Sequence, residues 1–406
     1  MANSLLTINM ITREAVALWK NTNAFIQNID VQYDDSFAAT GAKIGTTLRI
    51  RLPNDYTVRT GAALQAQDTS EQSITLTVAT QQGVDVSFST VDRTMSLDDY
   101  SERILAPCIN NLAGSVAATI MQGSEGGVSN LVGNFDGNGN IISPVAQTYL
   151  TGRAVLSSNS APDGQRKVVN DPFTNAAIVN TLSGLLNPAT TLSQQYMSGT
   201  MMRGLGYDLW MEDQTVIKHT TGSFTAGNVS GAGQTGTTLV TTAITGSLNI
   251  GDIITIAGVN GVNRITKQTT GQLQQFVVTA NVISGSTSIP IYPAIIPPVG
   301  GNQVQYQTVD SSPAGNAAIT LATPANSVYR KNLAYYPKAI TMVTADLELP
   351  QGGIVEGARE AFDGVSMRMI TDYVIGTDQM VTRLDVLFGY LFVRPEWCVI
   401  IPDSVN

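Results

Sequence analysis

Between Thr220 and Val309 the chain reads TTLVTTAI (237–244), DIITIAG (252–258), LQQFVVTA (273–280), STSIPIY (286–292) and QVQYQTV (303–309). Each run is short and rich in β-branched residues. Gly, Asn, Ser or Pro separates it from the next. That punctuation predicts a series of short strands closed into a small sandwich or barrel. The stretch holds only three charged residues, Asp252, Arg264 and Lys267, and shows no convincing helical period. It reads as a β module inserted into a body that mixes helices and strands.

On the N-terminal side, apolar residues at Val145–Leu156 and Thr174–Leu186 predict two helices, and Thr200 to His219 gives no clear pattern. Ser96-Leu97-Asp98-Asp99 is a Ser-x-x-Asp helix start. It leads a stripe of Tyr100, Ile104, Leu105, Cys108, Ile109, Leu112, Val116 and Ile120 that ends near Gly123. Pro107 lies inside this stripe, so it either kinks the helix or opens a second one. Further upstream, Thr46–Leu52 and Ser73–Ala79 alternate as strands around the polar segment Pro53–Gln72, which reads as a long hairpin tip, and Gln82–Val91 is a third strand. The first forty residues look like an arm, with an amphipathic helix expected over Thr12–Ile29. On the C-terminal side the body resumes with RKNLAYYPKAITMVTADLELP (330–350) and TRLDVLFGYLFVRPEWCVIIPD (382–403).

Composition excludes several classes. The chain has 406 residues, with 22 Lys+Arg against 31 Asp+Glu, a net charge of −9. A sequence-specific nucleic-acid binder needs a basic footprint, and this chain is acidic. Charged residues make up 13% of it, about half the usual share, which favours broad protein contacts over long-range repulsion. The N-terminal residues lack a basic segment followed by an apolar core, so no signal peptide is expected. The longest apolar run, Val386–Val393, has the length of a buried strand and not that of a membrane span. Cys108 and Cys398 are too few for a disulfide framework or a zinc site and read as reduced core thiols.

Motifs for chemistry are weak. His219 is the only histidine, and its surroundings, IKHTTG, contain no nucleophile motif. It reads as a residue of the linker into the β module. Gly231-Ala-Gly-Gln-Thr-Gly236 matches a dinucleotide fingerprint in letters only, because a strand and not a helix follows it. Asn134-Phe-Asp-Gly-Asn-Gly139 resembles the start of a calcium loop, but its twelfth position is Val145 where a carboxylate is required. The carboxylate pairs Asp34/Asp35 and Asp98/Asp99 are sequence neighbours that do not face each other. No catalytic, cofactor or metal site is predicted. A chain with arms, loops, little charge and no reaction centre points to contact with copies of itself.

Four stretches carry a family resemblance: LNIGDIITIAGV (248–259), QQFVVTANVISGSTSIPIYPAI (274–295), RKNLAYYPKAITMVTADLELP (330–350) and RLDVLFGYLFVRPEWCVIIP (383–402). In this order they resemble the major coat proteins of tailed bacteriophages, specifically the P-22-type with an inserted β-barrel. The resemblance implies an α+β, HK-97-like capsid fold. It would divide into an N-terminal arm (1–36), an extended loop (37–81), a peripheral domain with spine helix (82–127) and an axial domain (128–218). The inserted barrel (219–326) and the remainder of the axial and peripheral domains (327–406) would follow.

It also implies a non-enzymatic shell subunit forming hexamers and pentamers, with a scaffolding protein, a portal protein and packaged double-stranded DNA as partners, assembled in the host cytoplasm. No membrane and no cofactor is expected. Trp19, Phe25 and Ile26 are the intersubunit candidates, with packing of Trp19 inside its own subunit as the alternative. Glu14, Asp30, Asp34 and Asp35 are the candidates for scaffold contact, because they cluster in the arm. The β module is expected to act as a folding nucleus and brace. The alternatives are a cellular shell of the encapsulin kind, or a β-rich tail or receptor-binding protein.

Overall fold

The computed structural model describes residues 23–33, 47–56, 61–64, 72–89, 106–181, 203–298, 304–350, 356–362 and 364–405, with a few single positions besides. In chain order, β1 (Asp30–Tyr33), β2 (Thr47–Arg51), β3 (Ser73–Thr77) and β4 (Thr80–Ser89) precede α1 (Ala106–Gln122) and the single turn α2 (Ser124–Gly127). β5 (Asn134–Phe135) and β6 (Ile141–Ile142) form a small hairpin, followed by α3 (Ala146–Ser158), β7 (Lys167–Asn170), α4 (Pro172–Thr181), β8 (Leu209–Glu212) and β9 (Lys218–Thr220). The module contains β10 (Gly236–Val240), β11 (Ile253–Val262), β12 (Thr269–Val278), β13 (Ser288–Ile295) and β14 (Ile319–Leu321). Then come β15 (Val328–Tyr335), β16 (Ile340–Ala345), β17 (Glu356–Phe362), β18 (Val365–Val374), β19 (Gln379–Phe392) and β20 (Cys398–Ser404). Among the described residues, no helix is long and apolar enough to cross a membrane.

The chain divides into two compact units. The first comprises residues 1–50, 73–120 and 340–391. Its main sheet has the order β1-β16-β19-β18-β17, with β4 also paired to β19. The β1–β16 pair is parallel, Asp30 opposite Thr341 through Tyr33 opposite Thr344. β2 and β3 form a separate two-stranded ladder, so the alternation on either side of Pro53–Gln72 does mark paired strands. Gly389 is required where β19 passes close to the Thr77 carbonyl, because a Cβ there would collide with it.

The second unit comprises residues 51–72, 121–339 and 392–406. One of its sheets has the order β20-β15-β7-β8, with β9 also on β15. Tyr149 and Leu156 of α3 pack with Val168, Ala334, Val399 and Ile401 of this sheet. The other sheet is the inserted module, antiparallel in the order β10-β13-β12-β11-β14. Segment 226–229 closes it into a barrel: Asn228 bridges Ala318 beside β14, and Val229 bridges Thr241 just past β10. Its core is entirely apolar, built from sixteen buried residues that include Phe224, Leu239, Ile254, Phe276, Ile289 and Ile319.

Three expectations change, those for residues 303–309, for the N-terminal helix and for Cys108. Val304–Tyr306 is a 3-10 turn and not a strand. The Thr308 and Val309 N–H groups both bond the Ile296 carbonyl and Val309 makes a single bridge to Gly261, so the segment is tied to its neighbours without forming a ladder strand. The N-terminal helix does not reach Ile29: Asn23 Oδ1 accepts the backbone N–H groups of Phe25 and Ile26 and turns the chain into a 3-10 segment, Ile26–Asn28. Pro107 lies in the first described turn of α1, and Ser96–Asp99 lies outside the described residues. Cys398 is buried, but Cys108 is only half-buried; both are free thiols. The last two strands belong to different sheets, with the Pro395–Trp397 turn between them.

Candidate functional site

Among the described residues, no group of three or more His, Cys, Asp or Glu side chains is arranged to hold a metal ion. The two sequence strings with a ligand-binding look are turns. Strand β10 follows Gly231–Gly236 directly. The Asp136 carboxylate accepts the backbone N–H groups of Asn138 and Asn140, which closes a surface turn.

The functional geometry lies where the barrel joins the rest of its unit, and three sets of contacts build it. The innermost is a charged cluster. His219 of β9 is buried, as are Asp252, in the turn that opens β11, and Lys331 of β15. His219 Nε2 lies 2.9 Å from Asp252 Oδ1, and His219 Nδ1 lies 3.2 Å from Glu125 Oε1 of α2. Asp252 Oδ2 accepts the Asn249 N–H at 2.7 Å and the Gly222 N–H at 3.0 Å. Glu125 also accepts from Gln122 Nε2 at 2.8 Å. Tyr329 packs its ring against His219, centroids 5.2 Å apart. Gly251 adopts φ +95°, and a Cβ there would sit 3.0 Å from both the His219 ring and the Glu125 carbonyl, so only glycine fits this turn.

Burial works against the charged form of His219, but its bonds to Asp252 and Glu125 outweigh it and hold the pKa above the ordinary value. Burial likewise favours protonation of Glu125, yet His219 and Lys331 hold its carboxyl below the usual range. Lys331 has its amine buried without a hydrogen bond, and desolvation pulls its pKa down to about 8 despite the nearby Glu125 and Asp252.

The second set is uncharged. Gln275 of β12 donates to the Leu131 carbonyl at 3.0 Å and accepts the Leu131 N–H at 2.7 Å. The third lies at the turn between β11 and β12. Arg264 reaches Asp55 at 3.0 Å and Glu396 at 2.7 Å. Arg394 also meets Glu396, at 3.2 Å, and lies 5.0 Å over the Trp397 ring. Lys267 lies within electrostatic reach of Asp55 and Arg264. Asp252, Arg264 and Lys267 are therefore all placed where the module meets the rest of its unit, whereas its fourth charge, Asp310, accepts from Asn260 and Thr269 inside the module.

His219 occupies the linker position its surroundings suggested, but as the centre of a charge cluster. Its partners were not singled out as a site, because they lie 94, 33 and 112 positions away in sequence. The one available signal was the rarity of charge in the module. Trp19, Phe25 and Ile26 are all buried in the single chain. Asp30 opens β1, while Glu14, Asp34 and Asp35 lie outside the described residues.

Residues 214–400, just under half of the chain, match the family described as "P22 coat protein - gene protein 5". No curated protein matches the chain. Among solved structures, one from Mycobacterium phage Che8 is similar at 12% identity, covering 91% of this chain and 88% of that one, with a TM-score of 0.46. The asymmetric unit of the bacteriophage PhiM1 mature capsid is similar at 11% identity, covering 95% and 88%, with a TM-score of 0.43. The CUS-3 coat protein I-domain is 32% identical and covers 24% of this chain and 96% of that one, with a TM-score of 0.21. β9, the whole barrel and the re-entrant strand β15 all lie inside the residues that match the P22 coat protein family.

Proposed function

We propose that the chain tiles an icosahedral shell as hexamers and pentamers around the double-stranded DNA of a tailed phage, and that it catalyses no reaction. The observation that supports this is the coat-protein match over residues 214–400, which runs through the barrel and its attachment. A closed shell needs heterologous contacts that close into rings, and one sequence must serve rings of two sizes. Many modest contacts per subunit meet that demand, since their sum is strong while each can flex. A net charge of −9 suits a container that holds DNA without gripping its phosphates. In this reading the shell is assembled in the host cytoplasm with a scaffolding protein and a portal protein.

Glu14, Asp30, Asp34 and Asp35 are proposed to meet basic scaffold residues. Reversing all four charges should abolish scaffold binding and its salt sensitivity, and unchanged binding would remove them from that role. The intersubunit role of Trp19, Phe25 and Ile26 requires that they leave their buried positions for a neighbour. Serine substitutions that destabilise the monomer would assign them to their own subunit instead. The deciding experiment for the whole reading is electron microscopy of the expressed chain with and without its scaffolding protein. Closed shells with rings of five and six are expected. A chain that stays monomeric beside its scaffolding protein would overturn the reading.

A further inference from the structure

We propose that His219, clasped between Glu125 and Asp252, is a proton-operated latch that holds the inserted barrel on the body. Three elements meet at this imidazole: α2 of the body through Glu125, the entering strand β9 through His219 itself, and the turn that opens β11 of the barrel through Asp252. Both ring nitrogens face carboxylate oxygens, at 3.2 and 2.9 Å. A neutral imidazole carries one N–H, so one of its nitrogens would turn a lone pair toward a carboxylate. Only the imidazolium donates to both.

The carboxylates cannot easily supply the missing proton. Asp252 already accepts the Gly222 and Asn249 N–H groups, and Glu125 accepts from Gln122. The other charged or titratable groups that face the ring are Lys331 and Tyr329 on β15. Lys331 repels the imidazolium, and Tyr329 contributes a ring face. With His219 protonated, two carboxylates are balanced by two cations. When the proton leaves, an uncompensated negative charge remains in a site largely closed to water, which is costly. The latch is therefore closed at low pH and opens as pH rises through the folded-state pKa of His219. One proton is involved, so opening grows by up to tenfold per pH unit above that point.

Because His219 is the only histidine, a full-length chain labelled with carbon-13 histidine gives a single ring signal whose titration needs no assignment. The midpoint is expected above 6.5. Hydrogen-exchange protection factors over residues 220–222 and 249–252 should fall by up to tenfold per pH unit above that midpoint, while those of residues 276–278 in the barrel core stay level. Glu125→Gln should move the midpoint and the exchange profile down together. His219→Gln should remove the pH dependence at the seam below about pH 8, leaving only the response of Lys331 above it. A midpoint at or below 6.5 overturns the proposal. So does a seam profile that stays pH-dependent below about pH 8 in His219→Gln, or a Glu125→Gln midpoint that shifts without moving the profile. Should His219→Gln fail to fold, the titration and the Glu125→Gln pair still decide.

Discussion

The barrel and the long-stranded sheet of the other unit place their charges in opposite ways. In the barrel a cluster of sixteen apolar residues forms the core, and Asp252 and Arg264 both spend their charge on residues outside the closed sheet. In the β17–β18–β19 sheet the charges run along the strands. Arg368 stands directly opposite Asp385 and bonds it at 2.7 Å, Arg383 reaches the same carboxylate at 2.9 Å, and Arg359 meets Asp346 at 3.2 Å. Burial opposes the ionised Asp385 carboxylate, but bonds from Arg368 and Arg383 hold its pKa below the usual range. The lesson concerns what each region needs ions for. The barrel coheres mainly through apolar burial and places three of its four charges where it attaches, the fourth, Asp310, tying Asn260 of β11 to Thr269 of β12. The sheet uses cross-strand pairs to specify which residue faces which.

The strongest way to break this contrast is to attack the barrel core. Phe276→Ala should cost about 3–5 kcal/mol, read as a lower urea midpoint with the charged seam intact. A loss under about 1 kcal/mol would mean the barrel is not held by its apolar core. Asp252→Asn comes next. It leaves His219 and Lys331 under-compensated in a buried site, with an expected cost of about 3 kcal/mol and earlier protease cleavage near residues 220–222. Arg264→Ala should cost about 1 kcal/mol, because the side chain is about one-third exposed and solvent screens its two ion pairs. Arg383→Ala in the sheet is expected to cost less still, below about 0.5 kcal/mol, since half of that side chain faces solvent.

The smallest effect is the response of global stability to pH. The raised His219 pKa contributes stability that is complete below 6.5 and is lost as pH rises through the folded value. Lys331 acts with the opposite sign. Its depressed pKa means the folded chain sheds that proton first, so stability recovers between about 8 and 10.5. A shallow minimum near pH 8 should appear in urea titrations, and Lys331→Met should flatten its alkaline side. A monotonic profile in both chains would remove these two groups from the pH response.

Much of this was readable without coordinates. Runs such as DIITIAG and LQQFVVTA announce strands because period-two alternation and β-branched residues depend only on local geometry, and all but their end residues lie in the paired strands β11 and β12. The run 303–309 carries the same alternation and is not a ladder strand, because alternation cannot say whether a partner edge is free. β14 is only three residues long and was missed for want of length, and β17 and β18 for want of a clear period beside Arg359 and Arg368. The seam was illegible for a different reason. Lys331, Asp252 and Glu125 look like ordinary surface charges in the sequence, and only burial beside one another gives them a role.

Local patterning by itself determined that a nearly uncharged β module interrupts a mixed body, since period and composition are properties of neighbours along the chain. Tertiary structure alone decided which ions meet at the root of that module. Coulomb and hydrogen-bond energies depend on distance and dielectric in space, and residues 219, 252 and 331 acquire both only when the chain returns through β15.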